Sequence, residues 1–456
     1  MNSLELKKKA IMSLMSQPQG TERSVEGDNQ IVLSDCTGTD SLTSIKLFGK
    51  TEDVPVYDES GNVIPKSPDN PYELKSIENP TITVRGINLF DSSALYQKMY
   101  DKLVANGSST TWILDNVERD GRNCIQINHL GFTAGTTWFE NGKENTQYTL
   151  SFYMWAGNTT GLGIVVNYTD GSNDYNPITT TGEWRKVVIT TVANKTVRKI
   201  FQSYNGSTST YIDKDSMMLH EGATELPYEP YREPKTITLS DVTLRGVVVR
   251  PSSDVVPVSY ISDSKKYMSD ELYIEDGRVY HKVQMAEKDY EGQEAHTNAN
   301  FINRWQNYGA YLIGIGVRTF TTIDSKQYSF GSVGILCSHF QTPNPLKNYY
   351  TPPENSYCVV TGGVGGDYAN LIFIYVPITL WGEGLTASEI QTKMRTYLSE
   401  LKPKFIYPIY ESNIVITDIT DTEVGKALLG IGTHKGTTVI ETDGHLSASY
   451  LSNTEG

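Results

Sequence analysis

From Tyr148 to Trp155 the chain alternates strictly. Tyr148, Leu150, Phe152 and Met154 are large and apolar, and Thr149, Ser151, Tyr153 and Trp155 stand between them. Successive side chains of a strand point to opposite faces. The run therefore predicts a strand with the first set on a core and the second facing away from it. Similar runs recur through residues 81–234: WILDNV, CIQINHL, TTWFEN, GLGIVVNYT, WRKVVITTV, KIFQSY and STYIDKDSMML. Between them lie Asn106-Gly107, Asp120-Gly121, Asn141-Gly142, Asp170-Gly171 and Asn205-Gly206, pairs that suit tight turns. About eight short strands punctuated in this way predict a β-sandwich jelly roll over residues 86–232.

The flanking segments read differently. Residues 3–16 place Leu4, Ile11, Leu14 and Met15 near one helical face, which predicts a short docking or oligomerisation helix within 1–20. Residues 21–85 form a β-rich attachment region. It ends in an extended connector marked by Pro65, Pro68, Pro71 and Pro80, since proline interrupts strand ladders. Connector strands occupy 233–264, and a second β-sandwich-like domain spans 265–417. That domain carries one amphipathic helix, 386–402. Thr386-Ala-Ser-Glu389 is a capping box, and Ile390, Met394, Tyr397, Leu398 and Leu401 make an apolar stripe that ends before Pro403. A β tail, 418–456, completes a chain that is mainly all-β and multi-domain.

Composition narrows the function. At roughly 150 residues per domain, the 456 residues suit about three domains. Only 20% of residues are charged, while Tyr, at 29, outnumbers Phe, at 12. Tyr packs its ring and keeps its hydroxyl wet, as half-buried sheets and recognition surfaces require. The net charge of −14 opposes contact with phosphate backbones and anionic membranes, and no apolar run reaches membrane-spanning length. Neither nucleic-acid binding nor membrane insertion is expected. Cys36, Cys124, Cys337 and Cys358 are too dispersed for a metal site or a disulfide framework. Buried, reduced thiols and folding in a cytoplasm follow.

No catalytic constellation stands out: the nucleophile-elbow, zinc-protease, P-loop and dinucleotide patterns are all missing from the sequence. The seven His residues are scattered, and the glycines of TGGVGGD at 361–367 lead into a strand where phosphate binding needs a helix N-terminus. An enzyme is not expected. The positive signal is aromatic. Sugar rings present C–H faces that stack on Trp and Tyr, and their hydroxyls need Asn, Asp, Gln or Arg beside those rings. The central module supplies Trp138, Tyr153, Trp155, Tyr168, Tyr175 and Tyr204 among Asn158, Asn167, Asp170 and Asn173. From these, Tyr153, Trp155, Trp138, Tyr168, Asn167 and Asp170 are the glycan-contact candidates. Trp184 is assigned to the core.

Several longer segments resemble a known family. KSPDNPYELKSIENPTITVRGINLF is similar to the segment preceding a carbohydrate-binding-like module in tail proteins of phages and prophages of Gram-positive bacteria. NLFD, YTLSFYMWAG, VNYTDG, TGEWRKVVIT and YIDKDSMMLHEGATELPYEPY resemble jelly rolls of carbohydrate-binding module family 4/9. TITLSDVTLRGV, DELYIEDGRVYHKV, EGLTASEIQTKMRTYLSELKPKFIYPI and KGTTVIETDGHLSASYLS extend the likeness to about residues 25–456. The resemblance implies a baseplate or tail-fibre protein of the virion that meets other tail proteins and host surface polysaccharide. No cofactor is expected, and the avidity of linked copies with the closed symmetry common to oligomers points to a homotrimer. Relatives often hold calcium near the ends of the jelly roll. Here Asp213 and Asp215 are the calcium candidates, with Ser216, Met217 and Met218 where further acidic residues would alternate. A baseplate block without a ligand and a surface-polysaccharide depolymerase are the alternatives. If residues 3–16 are an oligomerisation helix, removing residues 1–17 lowers the solution mass measured by light scattering; an unchanged mass excludes that role.

Overall fold

The computed structural model describes residues 20–105, 114–127, 136–157, 162–179, 182–203, 209–248, 267–290, 295–296, 310–315, 335–341, 358–361, 372–409 and 413–453. The expected N-terminal helix, the turns at Asn106-Gly107 and Asn205-Gly206, Asn158, Tyr204 and most of TGGVGGD lie outside these residues. The chain is mostly strand, in several sheets of sandwich-like arrangement, as the alternation predicts. It divides into two compact units. One holds residues 1–83, 236–433 and 440–456, and the other holds 84–235 and 434–439.

In the first unit residues 445–450 of the strand Gly436–Ser452 pair with Leu42–Phe48, followed by Glu271–Glu275, Arg278–Val283 and Val415–Asp418. The Asp276-Gly277 turn has both residues left-handed, the conformation of a two-residue hairpin loop. Thr21–Cys36 also pairs with Gly436–Ser452, and His445 fastens them: its two ring nitrogens lie 2.6 Å from Glu26 and 2.8 Å from Asp28. The Pro-rich connector proves to be partly strand, since Glu73–Glu78 pairs with Thr51–Val54 and Thr243–Leu244. A separate core gathers Tyr290, Tyr311, Phe340, Ile374 and Phe405 with Ile390, Met394 and Leu398 of the helix Ala387–Leu401. That helix starts with the expected capping box: Thr386 and Glu389 bond each other's backbone N–H. The helix Glu423–Leu429 was not expected from the sequence pattern of the tail.

The second unit is the predicted sandwich. Its strands are β1 (Leu114–Arg119), β2 (Arg122–Ile127), β3 (Thr137–Glu140), β4 (Tyr148–Ala156), β5 (Gly163–Tyr168), β6 (Asn173–Pro177), β7 (Trp184–Thr190), β8 (Val197–Ser203), β9 (Thr210–Asp213) and β10 (Met218–Glu221). One sheet runs β7-β4-β9-β2-β1, with β10 also pairing β4, and the other runs β3-β8-β5-β6. Leu150, Phe152 and Met154 of β4 meet Ile164, Val166 and Ile200 of the opposite sheet in one core. The helix Ser92–Ala105, unmarked by any strong sequence signal, buries Leu95 and Met99, one turn apart, in that core, with Tyr96 packed beside them. Asp91 caps it by accepting from the Ser93 N–H at 3.0 Å.

The module is closed by Asn88, which is 2% exposed. Its amide donates to the carbonyls of Met217 and Glu229, each at 2.9 Å. Its oxygen accepts from the N–H of Phe90 at 2.9 Å and of Leu219 at 3.0 Å. All four capacities of the side chain are used. Asn88→Ala strands these backbone groups in the interior and costs about 3 kcal/mol, visible as a lowered midpoint of the sandwich's thermal transition. An unchanged midpoint would show that Asn88 closes nothing.

Candidate functional site

Cross-strand register decides which side chains share a face. On β4 the expected alternation holds: Tyr148, Leu150, Phe152 and Met154 are buried in the core, and Tyr153 and Trp155 are half-buried on the outer face. Opposite Tyr153 and Trp155 on β7 stand Lys186 and Trp184. Opposite Trp155 on β9 stands Tyr211, and opposite Tyr211 on β2 stands Gln126. Trp184 therefore faces outward beside Trp155, which corrects its assignment to the core. The strand does alternate, but Val187 and Ile189 are its inward positions, so Trp184 falls in the opposite phase.

Two arginines interleave with these rings. The β1–β2 hairpin turns at Asp120 and Gly121, both left-handed, which sets Arg119 opposite Arg122. The Arg119 guanidinium lies 4.0 Å from the Trp155 ring centre and 4.2 Å from that of Tyr211. Trp155 and Tyr211 themselves meet edge to face, 5.6 Å apart. The Arg122 guanidinium lies 4.4 Å from Tyr153 and 5.1 Å from Trp184. Arg122 is anchored by an ion pair with Asp213 at 2.6 Å, and the Trp184 indole N–H donates to Asp120 at 3.0 Å. Lys186 pairs with Glu225. The result is a half-exposed patch of four aromatic rings threaded by cations, each with a carboxylate at hand. It presents stacking surface with donors and acceptors side by side.

Along β4 only the half of this face that carries Tyr153 and Trp155 is open. Thr149 and Ser151, in the same phase as Tyr153, are buried. The segment following β10 covers Thr149, which donates to the Gly222 carbonyl at 2.8 Å, while Thr190, itself exposed, donates to that of Ala223.

The other candidates do not join the patch. Trp138 is a core residue, packed edge to face against Phe90 and Phe152, so it is withdrawn as a ligand contact. Tyr168 is withdrawn as well. It is buried in the opposite sheet, donates to Asp174 at 2.7 Å and accepts from the Val192 N–H, and burial together with Asp174 pushes its hydroxyl up to about 12. Asn167 faces outward on that opposite sheet, paired with Asn173 and Lys199. Asp170 shapes the β5–β6 turn: bonds from Ser172, then Lys195, hold its carboxyl down at about 2.

Of the calcium candidates, Asp213 is committed to protein partners. It caps the short helical turn Lys214–Ser216 through the Asp215 N–H and pairs with Arg122, so a cation would have to displace that guanidinium. Asp215 is exposed. No cluster of three or more metal-ligating side chains occurs among the described residues. Among those residues, too, no helix is long and apolar enough to cross a membrane.

No family model matches the chain, and no curated protein matches it. Among solved structures, a chain of Infectious Bursal Virus derived T=1 particles aligns over 98% of this chain and 83% of that one, at 8% identity and a TM-score of 0.13. That likeness carries no argument about fold or function.

Beneath the patch lies Cys124, buried on the same face and pushed up to about 11 by burial first and then by Asp213. A thiol so raised is a poor nucleophile. An acid whose folded value lies above its ordinary one favours folding below the ordinary value, here 9.0, and loses that advantage as pH climbs through about 11. Wild-type protein should therefore lose stability relative to Cys124→Ala over that window, read from paired denaturation curves. Parallel curves would refute the shift.

Proposed function

We propose that the chain is a non-enzymatic component of a phage tail, in its baseplate or tail fibre, and that its sandwich binds host surface glycan through the face around Tyr153 and Trp155. The observation that carries the binding reading is the register of β4 with β7 and β9, which gathers Tyr153, Trp155, Trp184 and Tyr211 on one open half-face with Arg119 and Arg122. Rings of this kind stack against sugar C–H faces, and adjacent guanidinium and carboxylate groups bond neighbouring hydroxyls. The tail assignment rests on the segment-by-segment sequence resemblance. Other tail proteins as partners, a homotrimeric state in the virion and assembly in the host cytoplasm belong to the same reading. Closed symmetry multiplies a weak single site into useful avidity.

The balance of charge supports binding over bond cleavage. Asp213, the buried carboxylate of the patch, is neutralised by Arg122, and the Cys124 thiol is held protonated. A second reading, a baseplate block without ligand, is favoured by one fact: the guanidiniums already cover the ring faces a sugar would use.

Trp155→Ala and Tyr153→Ala separate the two. If glycan is the ligand, each lowers adsorption to Gram-positive host cells about tenfold or more, since a stacked aromatic is worth on the order of 1–3 kcal/mol, while the melting midpoint stays near that of wild type. Adsorption at wild-type level by both variants removes the glycan site and leaves the structural reading.

A further inference from the structure

The two arginines of the patch are held in different ways. Arg122 is fixed, because its ion pair to Asp213 is short and Asp213 is nearly buried, at 6% side-chain exposure. Arg119 is anchored more loosely, by an ion pair to Asp120 whose nitrogen and oxygen stand 3.5 Å apart. Its guanidinium makes no hydrogen bond to any described residue, and its Nε is a buried donor without a partner. The nearest carboxylate oxygen, of Asp120, lies 3.5 Å away in a contact that is not a hydrogen bond. That same oxygen accepts from the Trp184 indole, and the Asp120 side chain is 64% exposed. Beyond that long ion pair, Arg119 is held by stacking: it fills the space over Trp155 and Tyr211, at 4.0 and 4.2 Å. That is the space a ligand ring needs.

We propose that Arg119 is a displaceable cap on the Trp155–Tyr211 platform. In the free protein its guanidinium occupies the stacking position. When a neutral sugar ring binds, the ring takes that position and the guanidinium swings outward over the hairpin tip, where its Nε–H reaches a hydroxyl or water. The cap rests on the glycan reading above and adds to it a regulation of the same site. Cation–π contacts at partly exposed sites are weak enough for a sugar face to replace. A donor left unpaired in the free protein gains a partner on displacement.

Arg119→Ala tests the cap with and without sugar. Without sugar, acrylamide quenching of the indoles should rise over wild type, and the rise should vanish when Trp155→Phe is added, which assigns it to Trp155. With the neutral hexasaccharides of glucose, galactose and N-acetylglucosamine titrated by calorimetry, Arg119→Ala should bind roughly threefold tighter than wild type, since it no longer displaces its own cap. Unchanged quenching overturns the cap. Weaker sugar binding by Arg119→Ala also overturns it, and makes Arg119 a direct ligand contact. Raised quenching with no sugar bound by either protein supports the cap and fails the glycan reading instead.

Discussion

The sandwich depends on the four hydrogen bonds of one buried amide. Asn88 joins the entry of the module to Met217 and Leu219 at the start of β10 and to Glu229 beyond it. With β10 fixed, β4 is paired along one edge in two pieces. Residues 148–151 meet β10 and residues 154–156 meet β9. The Tyr153 N–H, left between them, is taken by the Ser216 hydroxyl at 2.8 Å. The chain leaving β10 then bonds Thr149 and Thr190, and its Glu225 pairs with Lys186 beside Tyr153. The open half of the face is thus a by-product of how the module is closed, and an interior asparagine sets the size of an exterior surface.

Local patterns in the sequence reported what local physics decides. The alternation in β4 located the core and outward phases correctly, and the capping box at Thr386 marked the start of a helix. Weak local signals were lost: nothing before the helix Ser92–Ala105 resembles a capping box, and its described buried side chains, Leu95 and Met99, make a short stripe. Trp184 was misplaced by one residue of phase, which in a strand exchanges inside for outside. Trp138 and Tyr168 are aromatic residues set among polar ones in the sequence, but their strands turn those rings inward.

The arginines could not have been found from local pattern. Arg119 and Arg122 flank a turn that the sequence does mark, yet their place among the rings follows from pairings between residues as distant as 122 and 213 or 155 and 211. Those pairings also explain why a chain of net charge −14 carries a patch with no strong sign of its own. Each cation is answered by Asp120, Asp213 or Glu225. Such a surface does little long-range steering, so whatever it selects is selected at contact.

The two-residue turn at Asp120-Gly121 has an implication for how this surface could diversify. Its length is what makes Arg119 and Arg122 direct partners and so puts both on the same side of the sheet. One residue more in that turn breaks the partnership and rotates one of the two toward the interior. The turn lies at the solvent-exposed tip of an edge hairpin, where changes of length cost little. Recognition chemistry can therefore be rewritten at the tip while every ring, and every core residue beneath, stays where it is.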